Sequence, residues 1–597
     1  MDLKLRDAPP APAERKAADK VLGSKGAPSG GRSLLLPALQ AVQGRQGWVS
    51  EEALHYICRR LQVPPAEGHG VATFYSRISL APGAPAVARV CDDVVCRLNG
   101  AEALCADLEK NLGPAGAGGA GKQLAWMRSP CLGHCERAPA ALVTRAGDPC
   151  VEATLAPASA GQILSAVSSK AMPPAAANPI PQAGSPDLRL LRRVGGIRPD
   201  SLDDYRAAGG YRALPRAIEL GAEAVIGEIK ASGLMGRGGA AFPAGRKWEA
   251  VALAEHPKYL VCNADESEPG TFKDRVLMEE DPLALIEAMT IAAWATGCER
   301  GFVYVRGEYP LAAERLARAI ASAGREGLLG ENVLGRGFRF AIEIRRGGGA
   351  YICGEETALF NSIEGKRGEP RSKPPFPVQA GLFGRPTLVH NVETLANVPG
   401  IVLDSGMSFA SAGTAGSTGT RLFCVSGRVA RPGVYEVPLG TSLRELLNLA
   451  GGVTGGESRL QAVLLGGAAG TFLTPREIGL PLSFEGARAA GATLGSGAVV
   501  VLDDQADLWE IGGRIAAFFR EESCGQCVPC RLGTVQQEAI LETIRGHGGV
   551  GAAEERTTIA EIGQAMRDAS ICGLGQTASS AILSALEKFA APADGKR

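Results

Sequence analysis

The sequence predicts a multidomain α/β chain that closes in an all-helical segment, and three observations predict it. At 597 residues the chain exceeds what a single core of ordinary size can serve, so several domains are expected. Apolar spacing is helical up to about residue 80, alternates between strand and helix pieces from about residue 86, and is helical again after Leu508. A Pro/Ala-rich stretch, SSKAMPPAAANPIPQAGSPD from Ser168 to Asp187, separates the first α/β texture from the second.

Taken in order, residues 1–32 are rich in Pro, Ala, Lys and Ser and are expected to be a disordered tail. In residues 33–85, LLLPALQAV and SEEALHYICRRL read as helices, with Ser50 as a cap and a third piece near Val71–Ile78. Residues 86–167 form a small α/β unit, with AVARVC, LAWMRSPC and APAALVT as strands and AEALCADLEKNL as a helix. The linker occupies 168–190, and a larger α/β domain with strands at YLVCNAD and GFVYVRG covers 191–410. Over 411–508, FCVSGRV, GVYEVP and AVVVLDD surround the helix SLRELLNLA in a β-grasp pattern, and 509–597 are helical.

Acidic and basic residues balance at 63 each, which gives no positive field for nucleic acid or an anionic membrane. The N-terminus lacks the apolar core of a secretory signal, and no run approaches the roughly 18 apolar residues that cross a bilayer. A cytoplasmic chain with no nucleic-acid partner and no membrane insertion is expected. Its 15 cysteines then read as metal ligands and buried thiols rather than disulfides.

Cys91-x4-Cys96 ends a strand, and Cys131-x3-Cys135 closes a loop after a later one. Two close pairs meeting at one sheet edge suit a [2Fe–2S] cluster, two thiolates to each iron. The alternatives are a structural zinc site, whose pairs favour C-x2-C, and unrelated thiols. His134 reads as a loop histidine, because a Rieske centre would need two. With GWVS, VATFYSRI, CDDVVC and SPCLGHCERAPA, residues 33–165 resemble the thioredoxin-like [2Fe–2S] subunit that partners the flavin subunit of respiratory complex I. Nearby, Gly116-x4-Gly121-Lys122 imitates a P-loop, but Gln123 stands where Mg²⁺ binding needs Ser or Thr, so a flexible loop is expected.

The strongest glycine signal is SGLMGRGGAAFPAGRKW, with the formal fingerprint Gly236-x-Gly238-x-x-Ala241. It follows a helical stretch, not a strand, so it argues poorly for a standard Rossmann site. Glycine turns still let backbone N–H groups close on phosphate, and Arg237, Arg246 and Lys247 stand near with positive charge. Three further segments join it: CNADESEPGTFKDR from Cys262, GGGAYICGEETALFNSIEGKRGEPRSKPPFP from Gly347, and HNVETLANVP from His390. Together they make one polar pocket at strand ends of an α/β domain.

These segments resemble the FMN- and NADH-binding subunit of complex I and its relatives in NAD-reducing hydrogenases and NAD-dependent formate dehydrogenases, over about residues 195–590. The resemblance implies a Rossmann-like FMN/NADH domain. FMN would lie against Gly236, Arg237, Gly238, Gly239 and Lys247, with Asn263, Asp265, Glu266, Gly354, Asn391 and Thr394 around its phosphate, ribityl chain or ring. NADH would stack on Phe242 and Phe376, with Lys373 in polar contact; Tyr351, Glu356 and His390 complete the cofactor set, and Glu268 and Glu355 take the catalytic positions. The sequence departs from the family's pattern at His390 (commonly Asn), Ala241 (Gly) and Ala250 (an aromatic in some relatives). The implied chemistry is hydride transfer between nicotinamide and flavin, coupled to single-electron transfer into iron–sulfur.

Cys524-x2-Cys527-x2-Cys530, with Cys572 in SICGLGQ, places three thiols at the spacing of three irons of a cubane and supplies the fourth from a distance. A [4Fe–4S] cluster on a helical bundle is expected there. The β-grasp unit shows no titratable constellation and is assigned no chemistry. YRAAGGY, ESCGQCVPCRLGT and MRDASICGLGQ resemble the beta subunit of NAD-dependent molybdenum formate dehydrogenases. The implied partner is a molybdenum or tungsten catalytic subunit with its own iron–sulfur chain. A NAD-reducing hydrogenase diaphorase is the alternative, and a non-catalytic scaffold that has lost flavin is the contrasting class.

Overall fold

The computed structural model describes residues 8–23, 31–116, 123–168, 173, 177–547 and 553–589. Within them, three sheets follow the changes of texture in the sequence. The first comprises β1 (Ala86–Cys91), β2 (Leu124–Ser129), β3 (Ala141–Arg145) and β4 (Val151–Leu155) in the order β2-β1-β3-β4. β1 and β2 run parallel, with Cys91 paired to Ser129, so the loops carrying both cysteine pairs leave the same end of the sheet. That register is why two pairs 35 or more residues apart meet in space. Ala88, Val90, Trp126, Val143 and Ile163 form the unit's own core.

The second sheet contains β5 (Tyr259–Ala264), β6 (Arg300–Val305), β7 (Gly330–Val333), β8 (Phe338–Arg346) and β9 (Thr387–Asn391), in the order β7-β8-β6-β5-β9. β8, β6, β5 and β9 are parallel, and β7 is an antiparallel edge. The central strands are buried on both faces, as the unbroken runs LVC and FVYV require. Their carboxyl ends deliver Asn263, Asn391 and the Gly347–Gly349 turn to one edge, where open α/β sheets bind ligands. Against this sheet lies the almost wholly buried helix Pro282–Thr296. No described helix is long and apolar enough to cross a membrane.

The third sheet has β10 (Thr420–Gly427), β11 (Gly433–Pro438), β12 (Leu460–Leu465), β13 (Thr471–Leu473) and β14 (Ala498–Asp503) in the order β11-β10-β14-β12-β13. It packs on the helix Leu443–Leu449, which Ser442 and Glu445 start with a capping box, around a core of its own. The helices Leu508–Glu522, Val528–Gly546, Ala553–Ala569 and Ser580–Phe589 close the chain.

Three expectations need correction. The tail expected over 1–32 contains a docked helix, Pro12–Leu22, with Ala18 and Leu22 buried. Buried Glu14 accepts from Gln46 Nε2 (2.6 Å) and from the Ser50 N–H (3.2 Å), so two apolar residues and one carboxylate hold a segment whose composition reads as disordered. The third helical piece runs Pro65–Ala72, not to Ile78; Pro64 and Pro65 set its start, and Arg77 N–H instead donates to Gly348 O (3.0 Å). From residue 177 the linker is a strap. Asn178 binds Glu279 (2.9 Å) and Glu280 (2.7 Å), and Gln182 accepts from the Glu436 N–H (2.7 Å), so it joins the flavin-type sheet to the β-grasp unit. The P-loop-like stretch beyond Gly116 and the start of the linker lie outside the described residues. The lead-in helices share one continuous core with the second sheet, Leu39 and Ile57 joining the cluster of Leu260 and Val303.

Candidate functional site

The site is built where the carboxyl ends of β5 and β9 face the glycine loop. Asn263 donates to Gly354 O (2.8 Å) and accepts from the Asp265 N–H (3.2 Å), tying the strand end to the turn that follows β8. Asn391 caps the helix Val392–Ala396 through the Glu393 N–H (2.9 Å) and donates to Asp274 (2.6 Å). The Arg237 N–H donates to Thr394 Oγ1 (2.8 Å), so the glycine loop is pinned to the same helix. At Gly238 a Cβ would come within 3.1 Å of Asn391 Cβ and crowd it, and Gly239 has φ +124°, a backbone conformation that favours glycine.

The cleft between strand ends and loop measures about 380 Å³ and is lined by the glycine loop, Asn263, Asp265, Glu268, Tyr351, Gly354 and Glu355. Two further walls come from regions the sequence left without a role there. Gly466, Thr493 and Gly495 of the β-grasp unit form one, and Gly573, Leu574 and Thr577 of the C-terminal bundle form the other. Glycine runs such as LLGGAAG were the available signal, but nothing in them says which cavity they approach.

Burial governs the acids here. Asp265 Oδ2 is buried with no hydrogen-bond partner, and burial raises its pKa well above the carboxylate range. A ligand presenting hydroxyl or ring N–H donors fits that orphaned acceptor. Glu268 accepts from Tyr351 Oη–H and the Ala469 N–H (2.8 Å); burial pushes it up to about 7 against those bonds. Glu266 is pushed up to about 8 by burial and by the charge of Asp274. Its carboxylate accepts from the Asp274 (2.8 Å) and Arg275 (3.0 Å) N–H groups at the start of the helix Lys273–Glu280.

Beside the cavity, Lys373 pairs with Glu355 (2.8 Å) and Glu356 (3.0 Å), and Lys247 pairs with Glu356 (3.1 Å). Glu355 also caps the helix Glu356–Ile363 through the Thr357 and Ala358 N–H groups. Phe242 and Phe376 leave about half their area in solvent, 49% and 52%, an exposure that two large rings keep when a flat ligand covers them.

Two sequence-assigned residues point elsewhere. The Arg237 guanidinium is fully buried and donates to Thr418 O and Thr420 O (3.0 Å each), so only its backbone serves the loop. His390 is buried and accepts from Trp248 Nε1 (2.9 Å); burial and the Lys247 charge push it down to about 3, which keeps the ring neutral. It packs the domain and does not line the cavity.

The four N-terminal thiols are all buried, and Cys131 and Cys135 lie 3.5 Å apart. Their loop is clamped by residues the sequence did not single out. Arg306 donates to Cys131 O (2.6 Å), and Arg275 donates to Gly133 O (2.9 Å) and pairs with Glu136 (2.6 Å). In the C-terminal set, Cys530 is buried while Cys524, Cys527 and Cys572 are partly exposed. Cys527 and Cys572 stand at the N-termini of the helices Val528–Gly546 and Gly573–Thr577. Among the described residues no three His, Cys, Asp or Glu side chains converge on a single metal ion. A [2Fe–2S] rhomb takes two thiolates per iron and a cubane one, so both sets fit clusters by donor type.

Comparison with known proteins follows this division. Residues 229–400 match the Nuo51 FMN-binding domain, 24–168 the thioredoxin-like [2Fe-2S] ferredoxin, and 510–594 the NADH-ubiquinone oxidoreductase-F iron-sulfur binding region. Residues 422–470, read as β-grasp, match the SLBB domain. The chain is 44% identical to the NADH-quinone oxidoreductase F subunit of Aquifex aeolicus (strain VF5) over 400 residues, 67% of this chain and 92% of the relative. It is also 44% identical over 407 residues to the NADP-reducing hydrogenase subunit HndC of Solidesulfovibrio fructosivorans, 68% of this chain and 82% of that one. A crystal structure of NAD+-reducing [NiFe]-hydrogenase in the H2-reduced state superposes with TM-score 0.80 at 33% identity, over 94% of this chain and 91% of the other.

Proposed function

We propose that this chain, which belongs to the family of NADH-quinone oxidoreductase F subunits, is the NAD(H)-reacting diaphorase subunit of a multisubunit redox enzyme. Electrons pass between NAD(H), FMN and the C-terminal [4Fe–4S] centre. One observation carries the reading: the helix that Cys572 begins contributes Gly573, Leu574 and Thr577 to the wall of the flavin-type cavity. When bound, FMN would supply the conversion between the two electrons of one hydride and single-electron transfers. The glycine loop would close on it, and Asn391 and Asp265 would hold its phosphate, ribityl chain or ring, with the unpartnered Asp265 Oδ2 as an acceptor. Phe242 and Phe376 would hold the nucleotide by their faces with Lys373 in polar contact, and Lys247 would lie on the flavin side. Glu268, held by Tyr351, keeps a proton near neutrality at the cavity wall.

The partner we propose is a formate-oxidising molybdenum or tungsten subunit. What supports it is the set of motifs YRAAGGY, ESCGQCVPCRLGT and MRDASICGLGQ. A hydrogenase partner is the second reading, favoured by the superposition on the NAD+-reducing [NiFe]-hydrogenase over 94% of the chain. Co-purification from the native host tests both. Molybdenum or tungsten with formate-dependent NAD⁺ reduction supports the first, and nickel with hydrogen-dependent reduction replaces it by the second. A purified chain without flavin and without NADH–dye activity defeats both and leaves the scaffold.

A further inference from the structure

A second cavity, about 510 Å³, lies away from the flavin-type site where three regions meet. Each region gives it one arginine: Arg77 from the helical lead-in, Arg89 from β1, and Arg346 from the end of β8. Among the described residues the only acid on its wall is Glu152, which already pairs with both Arg77 and Arg346, the latter at 2.8 Å. Glu308, the next acid nearby, pairs with Arg306 (3.2 Å). Glu308 also faces Arg77 and Arg89, so with Arg306 four cations share two carboxylates. Their donors are unsatisfied as well: Arg77 Nη1 and Arg346 Nε are buried without an acceptor, and among the described residues Arg89 makes no hydrogen bond or ion pair.

Gathering guanidinium groups in a partly dry space is unfavourable unless an anion joins them. Forked N–H donors match phosphate and carboxylate oxygens. The remaining wall mixes apolar residues, among them Pro82, Pro85, Val87 and Met127, with the polar side chains of Gln40, Gln43, Ser79 and Thr144, and the volume exceeds what a bare oxyanion fills. We infer that this cavity is a binding site for a small organic anion carrying at least two negative charges, as a phosphate ester or a polycarboxylate. Its occupant bridges the lead-in, the [2Fe–2S] unit and the flavin domain, so binding stabilises their joint packing. The inference is independent of the flavin site's assignment.

The test uses the purified holo chain in an anion-poor buffer, with glycerol 3-phosphate, citrate and inorganic phosphate as probes against chloride at equal ionic strength. At 1 mM, glycerol 3-phosphate or citrate is expected to raise the melting temperature by about 3 °C or more, beyond inorganic phosphate. Which of the two acts separates a phosphate ester from a carboxylate. Arg89→Met is expected to abolish the response and, because Arg89 lacks a partner within the described residues, to melt about 2 °C higher than the parent without anion. Lys373→Met, at the nucleotide entrance, is expected to keep the response. A parent chain that responds to no anion overturns the inference, as does a response that survives Arg89→Met. If Arg89→Met changes the [2Fe–2S] EPR spectrum and leaves the anion response intact, the cluster is that arginine's counter-charge and the inference also fails.

Discussion

The two four-thiol centres are alike in composition and opposite in setting. Cys91, Cys96, Cys131 and Cys135 are at most 5% exposed, and Arg275 and Arg306 hold their loop against the flavin domain. At the other centre three of four thiols reach solvent, and the helix that Cys572 begins is itself a wall of the flavin-type cavity. Tyr351 and Glu268 stand at that cavity, and a small space lined by Tyr351, Arg306 and Cys131 lies on its far side toward the N-terminal centre. A redox centre that both touches the flavin site and reaches the surface can pass electrons out of the chain. One enclosed between domains is placed to hold them. We propose that the C-terminal centre is the exit and the N-terminal centre a side branch.

The largest expected effects test this contrast directly. Cys530→Ser should remove about four irons and cut NADH-driven delivery to the native partner at least about 100-fold, whereas Cys96→Ser should remove about two irons and leave delivery within about three-fold. Equal losses in steady-state turnover and iron assays would erase the distinction between exit and branch. Next, Asp265→Ala takes away the orphaned acceptor and should weaken FMN binding about 30-fold, read by fluorescence titration of flavin-depleted protein. Unchanged affinity would mean that Asp265 faces no ligand. At the entrance, Lys373→Met should raise KM for NADH about 10-fold with kcat nearly unchanged, as expected of a contact made equally in ground and transition states.

The smallest effect concerns the scaffold. His390 has its folded pKa pushed down to about 3, below the 6.5 of a free imidazole. Its contribution to stability is therefore complete above pH 6.5 and is lost as pH falls toward 3. His390→Asn removes that titration. In denaturant unfolding, the parent should lose about 1.4 kcal/mol per pH unit relative to the variant between pH 6.5 and 4. A constant difference would show that the ring is not held neutral.

Much of this organisation was legible because the relevant physics is local. Thiol spacing, the glycine loop and the strand textures each report on a few neighbouring residues, and the β5 strand and the Ser50 cap stand where the sequence placed them. What was not legible depends on which distant segments touch. Arg237 was read as a phosphate-side charge, but carbonyls of β10 and the turn before it, some 180 residues on, claim its guanidinium. His390 lies in the HNVETLANVP motif, yet Trp248 across the fold turns it into a packing residue. The β-grasp unit looked chemically empty because backbone walls leave no titratable signature. The helix Pro12–Leu22 was missed because its few apolar residues suffice only once Glu14 meets the Ser50 N–H.

Rapid freeze-quench EPR of the isolated holo chain, mixed anaerobically with NADH, bears most directly on the flavin-to-exit step. The [4Fe–4S] signal is expected to appear on the same timescale as flavin bleaching and to be lost in Cys530→Ser with flavin reduction intact. A fully reduced flavin beside a [4Fe–4S] centre that stays oxidised, while the N-terminal centre fills, would contradict the assignment of the exit.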